Sequence, residues 1–127
     1  MNWNKIQEKY PKPFKKWQAY YLDPDYKIEH ALKVMNATHI NNYWGWLLEF
    51  FDSKGIYIII YPLSNSRSGN CPDLFFGEWG YSIKKRGKDK TIYDVADNPI
   101  EIWYKSRQEA QEAAVEKTFE VLHDSHL

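Results

Sequence analysis

Five of the seven residues from Lys84 to Lys90 are cationic: Lys84, Lys85, Arg86, Lys88 and Lys90. With Gly87 and Asp89 between them they read as a hairpin tip, and a basic hairpin can lie along a phosphate backbone. Trp79, Tyr81 and Tyr93 are near enough in sequence to offer stacking surfaces to single-stranded bases. The more ordinary role of lysines at a hairpin end is to keep strand edges soluble. The chain as a whole favours that role. Its 17 basic and 17 acidic residues cancel, and the cations are 14 Lys and only three Arg, a mix suited to solvated surface rather than bidentate phosphate reading. Nucleic-acid binding is therefore the alternative use of this segment, not the favoured one.

Other reactive side chains are scattered. Glu78 stands alone in Phe-Phe-Gly-Glu-Trp-Gly; if desolvated, its carboxyl would have a raised pKa and could serve as a general acid or base. Spacing fixes no second catalytic group, and a solvent-facing place on the polar side of a strand is the usual one for such a residue. His123 and His126, three apart beside Asp124, would share a helix face as metal ligands, but two histidines at a fraying end are a weak set. Cys71 before Pro72 has no placed histidine to activate it. There is no glycine loop for phosphate, no His-Glu-x-x-His and no nucleophile elbow. No cofactor and no metal are expected, and an enzyme is disfavoured. A small hydrolase built on Glu78 or the terminal histidines is the second alternative.

The elements that would carry these groups are organised around Phe50 to Tyr61. A helix ends at Lys54, Gly55 turns the chain, and Ile-Tyr-Ile-Ile-Ile-Tyr follows as a strand with no polar face. Such a strand is normally an inner one, covered on both sides. Upstream, a helical turn over residues 3–10 is interrupted at Pro11. A helix from Pro13 to about Leu22 carries Phe14, Trp17 and Tyr21 on one stripe. Tyr26 to about Met35 predicts a second helix burying Ile28, Leu32 and Met35, and Asn36 to Asn42 a polar connection. Trp44, Leu47, Leu48 and Phe51 at i, i+3, i+4, i+7 define the helix before Gly55.

After Pro62 a long loop to Asp73 precedes a strand over Leu74 to Lys85, which holds Phe75, Trp79, Tyr81 and Ile83 on its apolar side. Thr91 to Val95 and Ile100 to Tyr104 complete four strands, and the short turns between the last three require antiparallel pairing. Ser106-Arg107-Gln108-Glu109 has the spacing of a capping box. The helix it opens places Ala110, Ala114, Val115, Thr118, Val121 and Leu122 on one arc, with Glu112, Glu116 and Glu120 opposite. The predicted fold is α+β: N-terminal helices, a four-stranded antiparallel sheet, and a C-terminal helix packed on one face.

At 127 residues this is one domain, long enough to bury roughly two-thirds of its extended surface. One cysteine excludes an internal disulfide, and no apolar run approaches a membrane span or a leader's apolar stretch. A cytoplasmic protein without membrane association is expected. Aromatic residues make up 17% of the chain, more than a core ordinarily takes, so some rings reach the surface. Residues 1–22 carry +4 (five Lys, one Glu), and residues 106–127 carry −3 (two basic, five acidic). Surplus aromatics and segregated charge favour protein–protein contact. The expected surface is Tyr57, Ile59 and Tyr61 with Trp79 and Tyr81, for a partner protein or a second copy of the chain.

Several segments together resemble a group of small, functionally uncharacterised proteins encoded by tailed phages and prophages. These are Trp3 with Glu8-Lys9-Tyr10-Pro11 and Phe14, Phe50-Phe51-Asp52 with Gly55-Ile56-Tyr57-Ile58, and Ser106-Arg107-Gln108-Glu109-Ala110 with Ala113-Ala114, Glu116-Lys117 and Phe119-Glu120-Val121-Leu122. The match covers about half the chain and leaves out residues 23–43 and Ser64 to Asp73. The resemblance implies a phage or prophage setting, and it implies no catalytic residue. The surplus aromatics, the segregated charge and the lack of a catalytic motif then favour an accessory protein whose partner is a host or phage protein.

Overall fold

A computed structural model describes residues 1–21, 27–62, 79–87, 90–95 and 104–125. Helices α1 (Trp3–Lys9), α2 (Pro11–Tyr21), α3 (Ile28–Ala37) and α4 (Trp44–Ser53) come first, with a 3-10 turn at Ile40–Asn42. Strands β1 (Ile56–Pro62), β2 (Trp79–Lys85) and β3 (Lys90–Asp94) follow, and α5 (Arg107–Asp124) is the last element. The chain is α+β. It forms two compact units, one of Met1–Lys54 with Val115–Leu127 and the other of Gly55–Ala114.

The first unit is built around aromatic rings. Trp3 and Trp17 are fully buried and stack at 5.9 Å, and Trp3 also meets Phe14, Tyr43 and Phe119. Its indole N–H donates to the Tyr43 hydroxyl at 3.2 Å, which answers the one polar group a buried tryptophan carries. Polar bonds fix α1 from outside. Asn2 caps it by accepting from the Lys5 N–H, and Asn36 on α3 accepts from the Trp3 N–H at 2.7 Å while donating to Asn4.

That use of Asn36 explains why α3 runs on to Ala37, past the expected end at Met35, and Ile40, expected in a polar connection, is buried. Pro11, not Pro13, begins α2; the break falls at Tyr10, so the ring of Pro11 occupies a first-turn position where no N–H is needed. On α4 the buried face is Leu47, Phe50 and Phe51, while Trp44 and Leu48 are half-buried. The stripe is turned because Phe50 and Phe51 are both drawn into ring contacts with Phe119.

In the second unit β1, β2 and β3 form an antiparallel sheet in that order. Gly55 has φ +77° and Gly87 φ +83°, left-handed conformations that glycine adopts without strain, and they make the turns into β1 and at the hairpin tip. The strand with no polar face is thus an edge strand among the described residues, not an inner one. Its two faces differ: Ile56 and Ile58 are buried, while Ile59 is 40% exposed between half-buried Tyr57 and Tyr61.

The fourth strand expected over Ile100 to Tyr104 lies outside the described residues except for Tyr104. That residue exchanges two backbone bonds with Trp79, at 2.7 and 3.0 Å. The part of the second expected strand before Trp79 also lies outside them. The capping box at α5 is present. Ser106 Oγ accepts from the Glu109 N–H at 3.1 Å, and the Glu109 carboxylate reaches one residue further back than a reciprocal box, to the Lys105 N–H at 3.2 Å.

Candidate functional site

The first unit exposes an aromatic surface at the end of α2 and the start of α4. Two consecutive residues of the last turn of α2, Tyr20 and Tyr21, face Trp46 and Glu49 of α4. Trp46 is 52% exposed and Tyr20 is 42% exposed, far above what a ring needed only for the core would show. They do not dangle. Tyr21 stacks on buried Trp17 at 4.8 Å and meets the Trp46 ring edge-on at 6.1 Å. Tyr20 lies 5.6 Å from buried Phe50, and its hydroxyl donates to Glu49 at 3.2 Å. Partial desolvation first, then the bond to Glu49 and its charge, raise the pKa of that hydroxyl, so it remains a donor through neutral pH.

Gly45 adds to this surface. Among the described residues a Cβ built on it would meet nothing within 4 Å, so packing inside the chain does not require a glycine there. A helical glycine is nonetheless about 1 kcal/mol worse than alanine. Bare backbone beside an exposed tryptophan is what a close-approaching partner chain uses. The arrangement has aromatic rings, polar tips and a rigid support, which are the features of interface anchors.

Trp46 went unnoticed in the sequence because the apolar stripe of its helix passes through Trp44, Leu47, Leu48 and Phe51. The signal was present all the same: a tryptophan off the stripe of a strongly patterned helix has no core to enter.

The five residues expected to form a partner surface are divided between the faces of the sheet. Register pairs Tyr57 with Lys84, Ile59 with Ser82 and Tyr61 with Gly80, and these share one face. Trp79 and Tyr81 pair with Pro62 and Ile60 and so lie on the other face. Tyr81 is buried, stacked on Tyr93 at 5.7 Å and near Tyr104, and it is no part of an open surface. On the open face the Tyr61 hydroxyl donates to Asp94 at 2.7 Å, bridging the sheet over buried Ser82.

At the hairpin, Lys85, Arg86 and Lys90 are exposed and Lys84 is half-buried, while Lys88 lies outside the described residues. Lys85 and Lys90 are direct partners in the β2–β3 register, a like-charge pair that costs stability. Tyr93, one of the rings offered for base stacking, is packed against buried Tyr81.

Glu78, Cys71 and His126 lie outside the described residues. His123 contacts the Tyr10 ring at 5.7 Å, and among the described residues no group of three or more His, Cys, Asp or Glu could hold a metal ion. Part of the segregated charge is met within the chain. Lys5 pairs with Glu116 at 3.0 Å and Lys117 with Glu120 at 3.4 Å, so Glu116 and Glu120 of α5 have cationic neighbours. Each exposed pair of this kind contributes about 0–1 kcal/mol.

Burial, followed by the charges of Glu120, Glu116 and Asp124, raises the pKa of Tyr10 above its ordinary 10.0. A raised folded-state value means stability that is complete below the unfolded pKa and lost as pH rises through the folded one. Alkaline titration is therefore expected to destabilise the chain above about pH 10. Part of that loss should vanish in Tyr10→Phe, measured as the difference in thermal midpoint between pH 9 and pH 11 (each about one unit from the ordinary tyrosine value). Equal losses in the two proteins would show that Tyr10 does not contribute.

No protein-family model matches the chain, and neither the curated proteins nor the solved structures compared with it show a match. No described helix is long and apolar enough to cross a membrane.

Proposed function

We propose that this chain is a non-catalytic accessory protein of a phage or prophage. It acts in the cytoplasm by binding a host or phage protein through Tyr20, Tyr21 and Trp46. The observation that carries the reading is Trp46, half exposed yet fixed by ring contact to Tyr21, which itself stacks on the core. Tryptophan and tyrosine held rigidly at a surface lose little entropy on binding, and truncating such anchors typically costs 2 kcal/mol or more. In the same reading the C-terminal helix packs on one face of the sheet and a fourth strand completes it. Neither of these is needed for binding at Trp46.

The test is affinity capture from host lysate with wild type and Trp46→Ala side by side. A single species held by wild type should bind the variant about 30-fold more weakly, with the thermal midpoint unchanged. Equal retention by both, or no specific species on wild type, would remove the proposal.

The Lys85–Lys90 pair favours a second reading, nucleic-acid binding at the hairpin, since a polyanion would relieve the repulsion. Single-stranded DNA or RNA should then bind at low salt and release as salt rises, and Lys85→Ala, Arg86→Ala, Lys88→Ala together should abolish binding. Absence of binding at low salt rules it out.

A further inference from the structure

The hydrogen-bond phase of the sheet identifies which backbone groups of β1 are unused. Gly55 C=O accepts from the Arg86 N–H at 2.8 Å, so Gly55 and Arg86 are a bonded pair. Bonded and non-bonded pairs alternate in an antiparallel ladder, which makes Tyr57–Lys84, Ile59–Ser82 and Tyr61–Gly80 bonded as well. The other end of β2 agrees. Trp79, opposite Pro62, spends its N–H and C=O on Tyr104 on the side away from β1. The N–H and C=O of Ile56, Ile58 and Ile60 therefore point outward from β1, where no strand lies among the described residues.

Edge strands are ordinarily protected by a charge, a bulge or a proline. β1 has no charge, and its one proline, Pro62, is its last residue, which leaves Ile56 to Tyr61 without either device. The irregularity in the sheet lies between Ile83 and Lys84 of the β2–β3 ladder, not on β1.

We infer that β1 pairs antiparallel with β1 of a second copy about a two-fold axis at Ile58, joining two sheets into one. This interface is in the other compact unit and does not depend on the reading of Trp46. The axis at Ile58 uses the outward N–H and C=O groups of Ile56, Ile58 and Ile60 together. Ile58 faces Ile58 of the second copy, and Ile56 faces its Ile60, giving three bonded pairs and about six new hydrogen bonds. Tyr57 then stands opposite Ile59 in a non-bonded pair, on the open face and repeated by symmetry. Aromatic against β-branched is a favourable cross-strand combination, and it covers the exposed Ile59.

Charge selects the antiparallel sense. Lys84, Lys85, Arg86 and Lys90 cluster at the hairpin end of the sheet, while Asp94, opposite Ser82, accepts from the Tyr61 hydroxyl nearer its middle. Two-fold pairing sets the two basic hairpins at opposite ends of the joined sheet. Parallel pairing would bring the hairpins together.

Sedimentation equilibrium on the full chain, from about 1 µM to 1 mM, measures this directly. The mass should rise from 15.2 kDa towards twice that value. Ile59→Lys places a charge on the open face of the edge, and Ile60→Pro removes an outward N–H without touching the β1–β2 ladder. Each should raise the dimer dissociation constant at least about tenfold, with far-UV dichroism unchanged. Tyr57→Cys with Ile59→Cys, in a Cys71→Ser background, should oxidise to a covalent dimer, because non-bonded pairs bring Cα atoms to about 4.5 Å. A monomer at the highest concentration, or a dimer indifferent to both edge variants, overturns the inference.

Discussion

Trp3→Ala is expected to destabilise the chain by about 3–5 kcal/mol. The side chain has no exposed surface and touches Phe14, Trp17, Tyr43 and Phe119, with its N–H spent on Tyr43. Truncation opens a cavity among rings that cannot collapse into it, and it leaves the Tyr43 hydroxyl without that donor. A domain of this size has about 5–15 kcal/mol in all, so the variant should lose a large share of it. Urea denaturation should show a lower midpoint with the slope unchanged, and the thermal midpoint should fall by roughly 10–20 °C. Trp3→Phe should recover part of the loss. A decrease under about 1 kcal/mol for the alanine variant would mean that the indole is not a packed core group.

Phe119→Ala is the second large effect, about 3–5 kcal/mol by the same measurement. Phe119 is fully buried and is the α5 residue in ring contact with Trp3 at 5.8 Å, Phe50 at 6.3 Å and Phe51 at 5.5 Å. It thereby ties the C-terminal half of α5 to α1 and α4. The double variant Trp3→Ala, Phe119→Ala should be less destabilised than the sum of the singles, by about 0.5–1.5 kcal/mol for the edge-to-face pair plus the shared cavity. Strict additivity would show that the two rings do not meet in solution.

Both residues bear on how the proposed binding surface works. Trp17 and Phe50 lie against Tyr20 and Tyr21, and Tyr21 in turn meets Trp46, while Trp3 stacks on Trp17 and Phe119 on Phe50. Variants that loosen the inner rings should weaken partner binding in proportion to lost order. Trp46→Ala should weaken it with stability intact. The contrast separates an anchor from its support.

Local signals were dependable wherever one residue type answers one backbone need. Gly55 at a left-handed φ, Gly87 in the hairpin turn, and the Ser106–Glu109 cap at the start of α5 all have a local physical cause, so the sequence displays them directly. The helix patterns of α2 and α4 and the strand of β1 were legible for the same reason. Periodicity placed the buried arcs only to within a residue or two. The wider stripes of α4 and α5 are selected by which rings meet, and this is why Phe50 and Phe119 became central while Trp44 and Val121 moved toward the surface.

The sequence by itself determined the α+β class, the turn at Gly55, the hairpin at Gly87 and the cap of the last helix, because each follows from short-range geometry. Only the tertiary structure decided the rest. Among the described residues it put the most apolar strand at a sheet edge, since strand order depends on pairing between residues more than twenty positions apart, such as Ile58 with Ile83. It divided Tyr57, Ile59 and Tyr61 from Trp79 and Tyr81, because register, not composition, assigns faces. It also brought Tyr20 and Tyr21 to Trp46 across two helices, a proximity that exists only once the aromatic core beneath them has packed.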